Sequence, residues 1–356
     1  MYLVIVLLII NIFSPRLIDA TTKLDSSNVI NDKKDSVLTG KLSGFVISPY
    51  FNEQVCTFNY DPEIRVFINA PAIKKFDILQ PTEIIIYALP NGNTIEQTIG
   101  KKLNPGDDWH FDIQHIAAQT RFLREHINKK NLVVVYLENT QKSWPLWKKQ
   151  HNDYSQIINS LVNYLIDLFS EYNPSVVLTG HSGGGSFTFG FLDSVKKIPD
   201  VIKRIAFLDS DYGYDNAYGK KILKWLKSSS AHYLCVLAYD DSIALYNGKR
   251  VVSDTGGTWY RSKLMIEFLS KYIGLSKEID NGFIKYTGLN GRVKFFLKKN
   301  PERIILHTVQ IELNGFIEAM VSGTNLESDG YEYFGERAYS QYIQIGIDNV
   351  ISSEIR

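Results

Sequence analysis

Between Pro174 and Phe187 the chain passes from an apolar, β-branched run (Ser175-Val176-Val177-Leu178-Thr179) through Gly180-His181-Ser182-Gly183-Gly184-Gly185 into the start of a helix. No other feature constrains the fold as much. A strand that reverses into a helix within a few residues brings its backbone against itself, which excludes side chains two positions to either side of the turning residue. Gly180 and Gly184 occupy those positions around Ser182. The serine hydroxyl is thereby lifted over the end of the strand. The Gly183 N–H is turned toward the same space, near the positive end of the following helix. Glycines of this kind also cradle phosphates, but here no lysine follows them and no G-x-G-x-x-G spacing follows the first strands.

The rest of the chain repeats this alternation. Apolar, β-rich runs predict about eight strands, at 44–48, 65–69, 83–89, 132–137, 175–179, 204–208, 233–239 and 303–306. Their nearly continuous hydrophobicity suits strands buried on both faces. A helical stripe of Ile157, Ile158, Leu161, Val162, Leu165, Leu168 and Phe169 stands between the fourth and fifth runs. The expectation is an α/β fold, a mostly parallel doubly wound sheet with an N-terminal antiparallel hairpin and its ligand site beyond the carboxyl ends of the strands.

The 44% apolar share, with 21 Tyr, 19 Phe and 5 Trp, supplies a core for one large domain over 43–356. A net charge of +1 lacks the basic excess that phosphate neutralisation demands, so no nucleic-acid partner is expected. Residues 1–20 read as an export signal, with an apolar run from Leu3 to Phe13 broken only by Asn11 and with Ala20 at a cleavage edge. The run is short for a bilayer, so no stable membrane span is expected. Whether cleaved or kept as an anchor, it implies a secreted or periplasmic protein. Residues 21–42 read as a flexible leader.

On Gly180-His181-Ser182-Gly183-Gly184, with a strand before and a helix after, the chain resembles the α/β-hydrolase superfamily. The resemblance implies acyl transfer at Ser182, with a serine, acid and histidine in that chain order and no cofactor or metal. His307 follows the predicted strand 303–306, where the family carries its base, although Thr308-Val309-Gln310-Ile311 reads as a continuing extended segment. Asp240 or Asp241, after the strand 233–239, is the expected acid, and Asp240 is the first choice. Asp209 or Asp211, one strand earlier, is the alternative. Besides Gly183, the oxyanion donors are expected from Gly92 and Asn93, where Asn and Gly permit inward-facing N–H groups.

The family's early strands lie far from its later ones, so Cys56 and Cys235 are not expected to pair. Asp108, His110, Asp112 and His115 mix residue types that bind metals, but a capped helix entry explains them equally well. Trp144, Trp147, Tyr212, Tyr214, Tyr218 and Trp259 gather near predicted strand ends, as stacking surfaces or as core. Few residues separate the sixth and seventh runs, so no large lid is expected. The reading is an exported esterase-like serine hydrolase acting on a small-molecule or polymer-linked acyl substrate. An exported serine peptidase and a catalytically silent binding protein of the same fold are the alternatives.

Overall fold

A computed structural model describes residues 40–280 and 282–345. The expected signal over 1–20 and most of the expected leader lie outside these residues. The leader's last residues are already part of the domain: Leu42 is buried, and its N–H donates to Gln54 Oε1 at 2.7 Å.

An eleven-stranded sheet runs through the domain in the order β1-β2-β3-β5-β4-β6-β7-β8-β13-β12-β11. Its strands are β1 (Val46–Ile47), β2 (Gln54–Tyr60), β3 (Ile64–Ala70), β4 (Thr82–Ala88), β5 (Asn131–Asn139), β6 (Pro174–His181), β7 (Ile202–Leu208), β8 (Tyr233–Tyr239), β11 (Leu275–Asp280), β12 (Phe283–Gly288) and β13 (Val293–Lys298). The short strands β9 (Leu245–Tyr246) and β10 (Lys249–Arg250) form a separate hairpin. From β5 to β13 every neighbouring pair is parallel, while the strands outside them at both edges are antiparallel.

Alternation along the central strands feeds two cores. Ile84, Ile86, Val133, Val135, Val176 and Leu178 face one side of the sheet, and Ile85, Tyr87, Val134, Tyr136 and Val177 face the other. The first side is covered by α3 (Trp144–Gln150), α4 (Tyr154–Leu168), α5 (Gly185–Ser194), α6 (Asn216–Ser228) and α7 (Thr258–Ser270). The second is covered by α1 (Ile95–Ile99), α2 (Ile116–His126) and α8 (Phe316–Val321). The stripe read from sequence on α4 is the buried one, through Ile158, Leu161, Val162 and Leu165. Between β7 and β8 the chain holds only a 3-10 turn and α6, with no lid among the described residues.

One predicted strand is not formed. Residues 303–306 are a loop, because Arg303 takes a left-handed φ of 60° and Asn300 brackets Ile304, accepting its N–H at 3.1 Å and donating to its carbonyl at 2.8 Å. The last parallel strand is instead β13, a short Phe-Phe-Leu run flanked by Lys294 and Lys298, preceded by the polar β11–β12 hairpin. Cys56 on β2 and Cys235 on β8 are six strand spacings apart, roughly 29 Å at about 4.8 Å each. No disulfide joins them.

Candidate active site

Ser182 directly follows β6 in the left-handed region, with φ of 54°, and α5 starts three residues later. A non-glycine residue held there is strained, and packing must fix it in place. Here the carbonyl end of β4 does so. A Cβ on Gly184 would lie 2.1 Å from the Ala88 carbonyl oxygen, and one on Gly180 would lie 2.7 Å from the same atom. Only glycines let the turn close against β4.

His307 lies in the loop after β13, and the chain beyond it turns helical rather than continuing extended, so its position is that of a side chain on a loop at the strand ends. Its carbonyl accepts from His181 Nε2 at 3.1 Å, and the two imidazole rings lie 4.4 Å apart. His307 is thereby held against the residue that precedes Ser182. No hydrogen bond joins Ser182 Oγ to His307 among the described residues. Burial, and then the neighbouring His307, hold the His181 pKa well below the usual imidazole range, so His181 is neutral.

His307 Nδ1 pairs with Asp209 Oδ2. Asp209 directly follows β7, is fully buried, and has a left-handed φ of 48°, a conformation that aspartate tolerates better than most residues. Its other oxygen accepts from Thr258 Oγ1, at the start of α7. Asp240, the first choice from sequence, does not meet His307; its carboxylate accepts from Ser242 Oγ. Asp241 is buried but turned the other way, capping α7 by accepting from Thr258 N at 2.8 Å and from Trp259 N at 3.4 Å. Asp211 accepts from Ser262 Oγ at 2.8 Å. Three buried carboxylates thus share one region. Burial, and then the charge of Asp209, push Asp241 up to about 7, and burial drives Asp211 far above the usual carboxylate range.

The loop after β4 approaches Ser182 through a different residue from those expected. The Gly92 N–H is spent on the Lys142 carbonyl at 2.8 Å, and the Asn93 N–H faces the Pro90 carbonyl at 3.5 Å. It is Asn91 whose side chain lies against Gly183, where an added Cβ would come within 2.0 Å of Asn91 Oδ1. Asn91 and Gly183 line a cleft of about 460 Å³ together with Ser182, Lys148, Ser210 and Tyr212. The sequence carried only a general signal for Asn91, its membership of the Pro90–Asn93 turn, and none for Thr258 or Lys148.

Several other expectations resolve into structure. Trp144 and Trp147 are fully buried core, as is Tyr214, whereas Tyr212 and Tyr218 line the cleft. Asp108 caps the turn Trp109–Asp112 through the His110 N–H at 3.0 Å, while Asp112 pairs with His115 at 2.6 Å and with Arg337 at 2.7 Å. Among the described residues no group of three or more His, Cys, Asp or Glu side chains converges as a metal site would require. Nor is any described helix long and apolar enough to cross a membrane.

The strand order, the strained serine between β6 and α5, and a histidine and acid on loops at the carboxyl ends of later strands make this an α/β-hydrolase-type fold. No protein-family model matches the chain, and no curated protein does. Among solved structures it is similar to a thermostable esterase at 13% identity and a TM-score of 0.43, covering 78% of this chain and 62% of that one. It is also similar to the siderophore hydrolase EstA from Aspergillus nidulans, at 12% identity and a TM-score of 0.41, covering 77% and 98%. A third is the feruloyl esterase module from Clostridium thermocellum, at 11% identity and a TM-score of 0.42, covering 82% and 98%.

Proposed function

We propose that this chain is an exported serine hydrolase that cleaves a carboxylic ester or related acyl bond through an acyl-enzyme at Ser182. The observation that carries the reading is the pairing of His307 with the buried Asp209 beside a serine held at a left-handed φ. A serine hydroxyl is a poor nucleophile until an imidazole takes its proton. With Nδ1 paired to Asp209, His307 presents Nε2 as the base, and Asp209 stabilises the imidazolium that forms. Ser182 Oγ then bonds to the acyl carbon, and the resulting oxyanion is met by the Gly183 N–H and the Asn91 Nδ2–H. As the carbonyl re-forms, the bond from the acyl carbon to the alcohol oxygen breaks and His307 Nε2–H gives that oxygen its proton, leaving the acyl-enzyme, which water attacks by the same steps. Export rests on the apolar run from Leu3 to Phe13.

The test is covalent labelling by a tagged fluorophosphonate, which captures only an activated serine. Labelling of the native protein and not of Ser182→Ala supports the reading. One observation favours a second reading, a catalytically silent binding protein: Ser182 and His307 share no hydrogen bond in the free protein. Such bonds often tighten only when substrate arrives. A folded protein that takes up no label would put the binding reading first.

A further inference from the structure

The cleft beside Ser182 carries a charge that the acyl-transfer chemistry does not use. Of its lining side chains, only Lys148 is charged at neutral pH. Lys148 is mostly buried, with its Nζ 4.5 Å above the Tyr154 ring and 3.5 Å from Asp193 Oδ2. Asp193 is already engaged, since its two oxygens accept from Tyr154 OH at 2.9 Å and Tyr218 OH at 2.7 Å. A contact of 3.5 Å is at the outer limit of a hydrogen bond, so the ammonium keeps donors for something in the cleft. Burial also lowers its pKa, and the Asp193 carboxylate offsets that loss of water only in part. A second observation points the same way. Ser210 is buried, its hydroxyl has no hydrogen-bond partner, and it lines the same cleft. Phe189 and Tyr212 supply apolar wall between these polar groups.

We propose that the cleft selects esters bearing a carboxylate, held by Lys148 with the Ser210 hydroxyl as a further donor. This rests on the serine-hydrolase reading and names the substrate class of that site. One ammonium and one hydroxyl match a two-oxygen monoanion better than a phosphate dianion, which calls for more donors.

Two pairs of esters test the proposal, each comparing a free carboxylate with its methyl-capped form. Mono-4-nitrophenyl glutarate carries the carboxylate on the acyl side, and 3-acetoxybenzoate carries it on the alcohol side. In at least one pair the native protein should favour the carboxylate in kcat/KM by about tenfold, as expected for one partly buried charge-assisted contact. Lys148→Met should bring that ratio close to one, and Asp193→Asn, which removes the competing carboxylate, should raise it. A ratio near one in both pairs for the native protein overturns the proposal. So does a ratio that Lys148→Met leaves unchanged or, should that variant not fold, one that Asp193→Asn fails to raise. Fluorophosphonate labelling of the native protein separates the two ideas: without it the hydrolase reading falls, and with it a flat ratio removes only the carboxylate subsite.

Discussion

Replacing Asp209 by asparagine is the sharpest perturbation of the candidate site, because the structure gives each carboxylate oxygen a separate task. Oδ1 accepts from Thr258 Oγ1 and Oδ2 pairs with His307 Nδ1. An asparagine amide can keep only one acceptor. If its oxygen stays with Thr258, its NH₂ faces His307 Nδ1 and forces the proton onto Nε2, the atom that must accept from Ser182. A base in the wrong tautomer costs a Ser-His-Asp hydrolase about 10⁴-fold in kcat, or about 5.5 kcal/mol of transition-state stabilisation. The assay is hydrolysis of a short-chain 4-nitrophenyl ester, run beside the rate of fluorophosphonate labelling, with thermal melting to show that the fold is intact. Asp240→Asn is the matched comparison, since its carboxylate touches Ser242 and not His307. It should alter kcat less than twofold, the range of a substitution with no contact to the reacting groups. If Asp240→Asn were the crippling change and Asp209→Asn the mild one, the reasoning from the observed pair would be refuted.

Asn91→Ala should lower kcat about a hundredfold with little change in KM, as loss of one oxyanion donor does; an effect on KM alone would remove Asn91 from that role. Gly184→Ala forces a Cβ to within 2.1 Å of the Ala88 carbonyl, which belongs to β4 and cannot swing aside. Urea denaturation should show a loss of about 3 kcal/mol or more, and an unchanged midpoint would contradict this packing. Asp241 governs a pH dependence of stability. Burial and then Asp209 raise its folded pKa to about 7, so the folded state keeps a proton that the unfolded chain releases. The Asp241 contribution to stability should therefore fall as pH rises between about 4 and 7, by on the order of 4 kcal/mol, and level off above. Asp241→Asn, which can still cap α7, should make the loss of stability between pH 5 and pH 8 smaller in urea unfolding.

The parallel centre of the fold was legible because burial on both faces leaves an unambiguous trace. Ile84, Ile85 and Ile86 serve opposite cores in alternation, and so do Val133, Val134 and Val135, so each strand reads as an unbroken apolar run. The edges leave no such trace. β11, with the sequence Leu-Ser-Lys-Glu-Ile-Asp, has one covered face at most, and β13 carries lysines at both ends. Ile304 and Ile305, which read as strand, are 47% and 41% exposed. Hydrophobicity identified them as strand, but the hydrogen bonds of Asn300, twenty-odd residues past the hairpin's start, decide that the segment is a loop.

The candidate site divides along a similar line. The Ser182 turn was legible because its cause is local, two glycines that a nearby backbone requires. The acid was not, since Asp209 and Asp240 both follow a strand and look alike in sequence. What separates them is what each carboxylate meets: Asp240 accepts from Ser242 Oγ, while at the start of α7 Thr258 gives its N–H to Asp241 and its hydroxyl to Asp209. Asp241 is thereby turned toward the helix, and Asp209 keeps one oxygen for His307. A carboxylate with the α7 N-terminus as its partner is held away from the imidazole. The choice between Asp209 and Asp241 in this chain therefore follows from where α7 starts, which no pattern around either aspartate records.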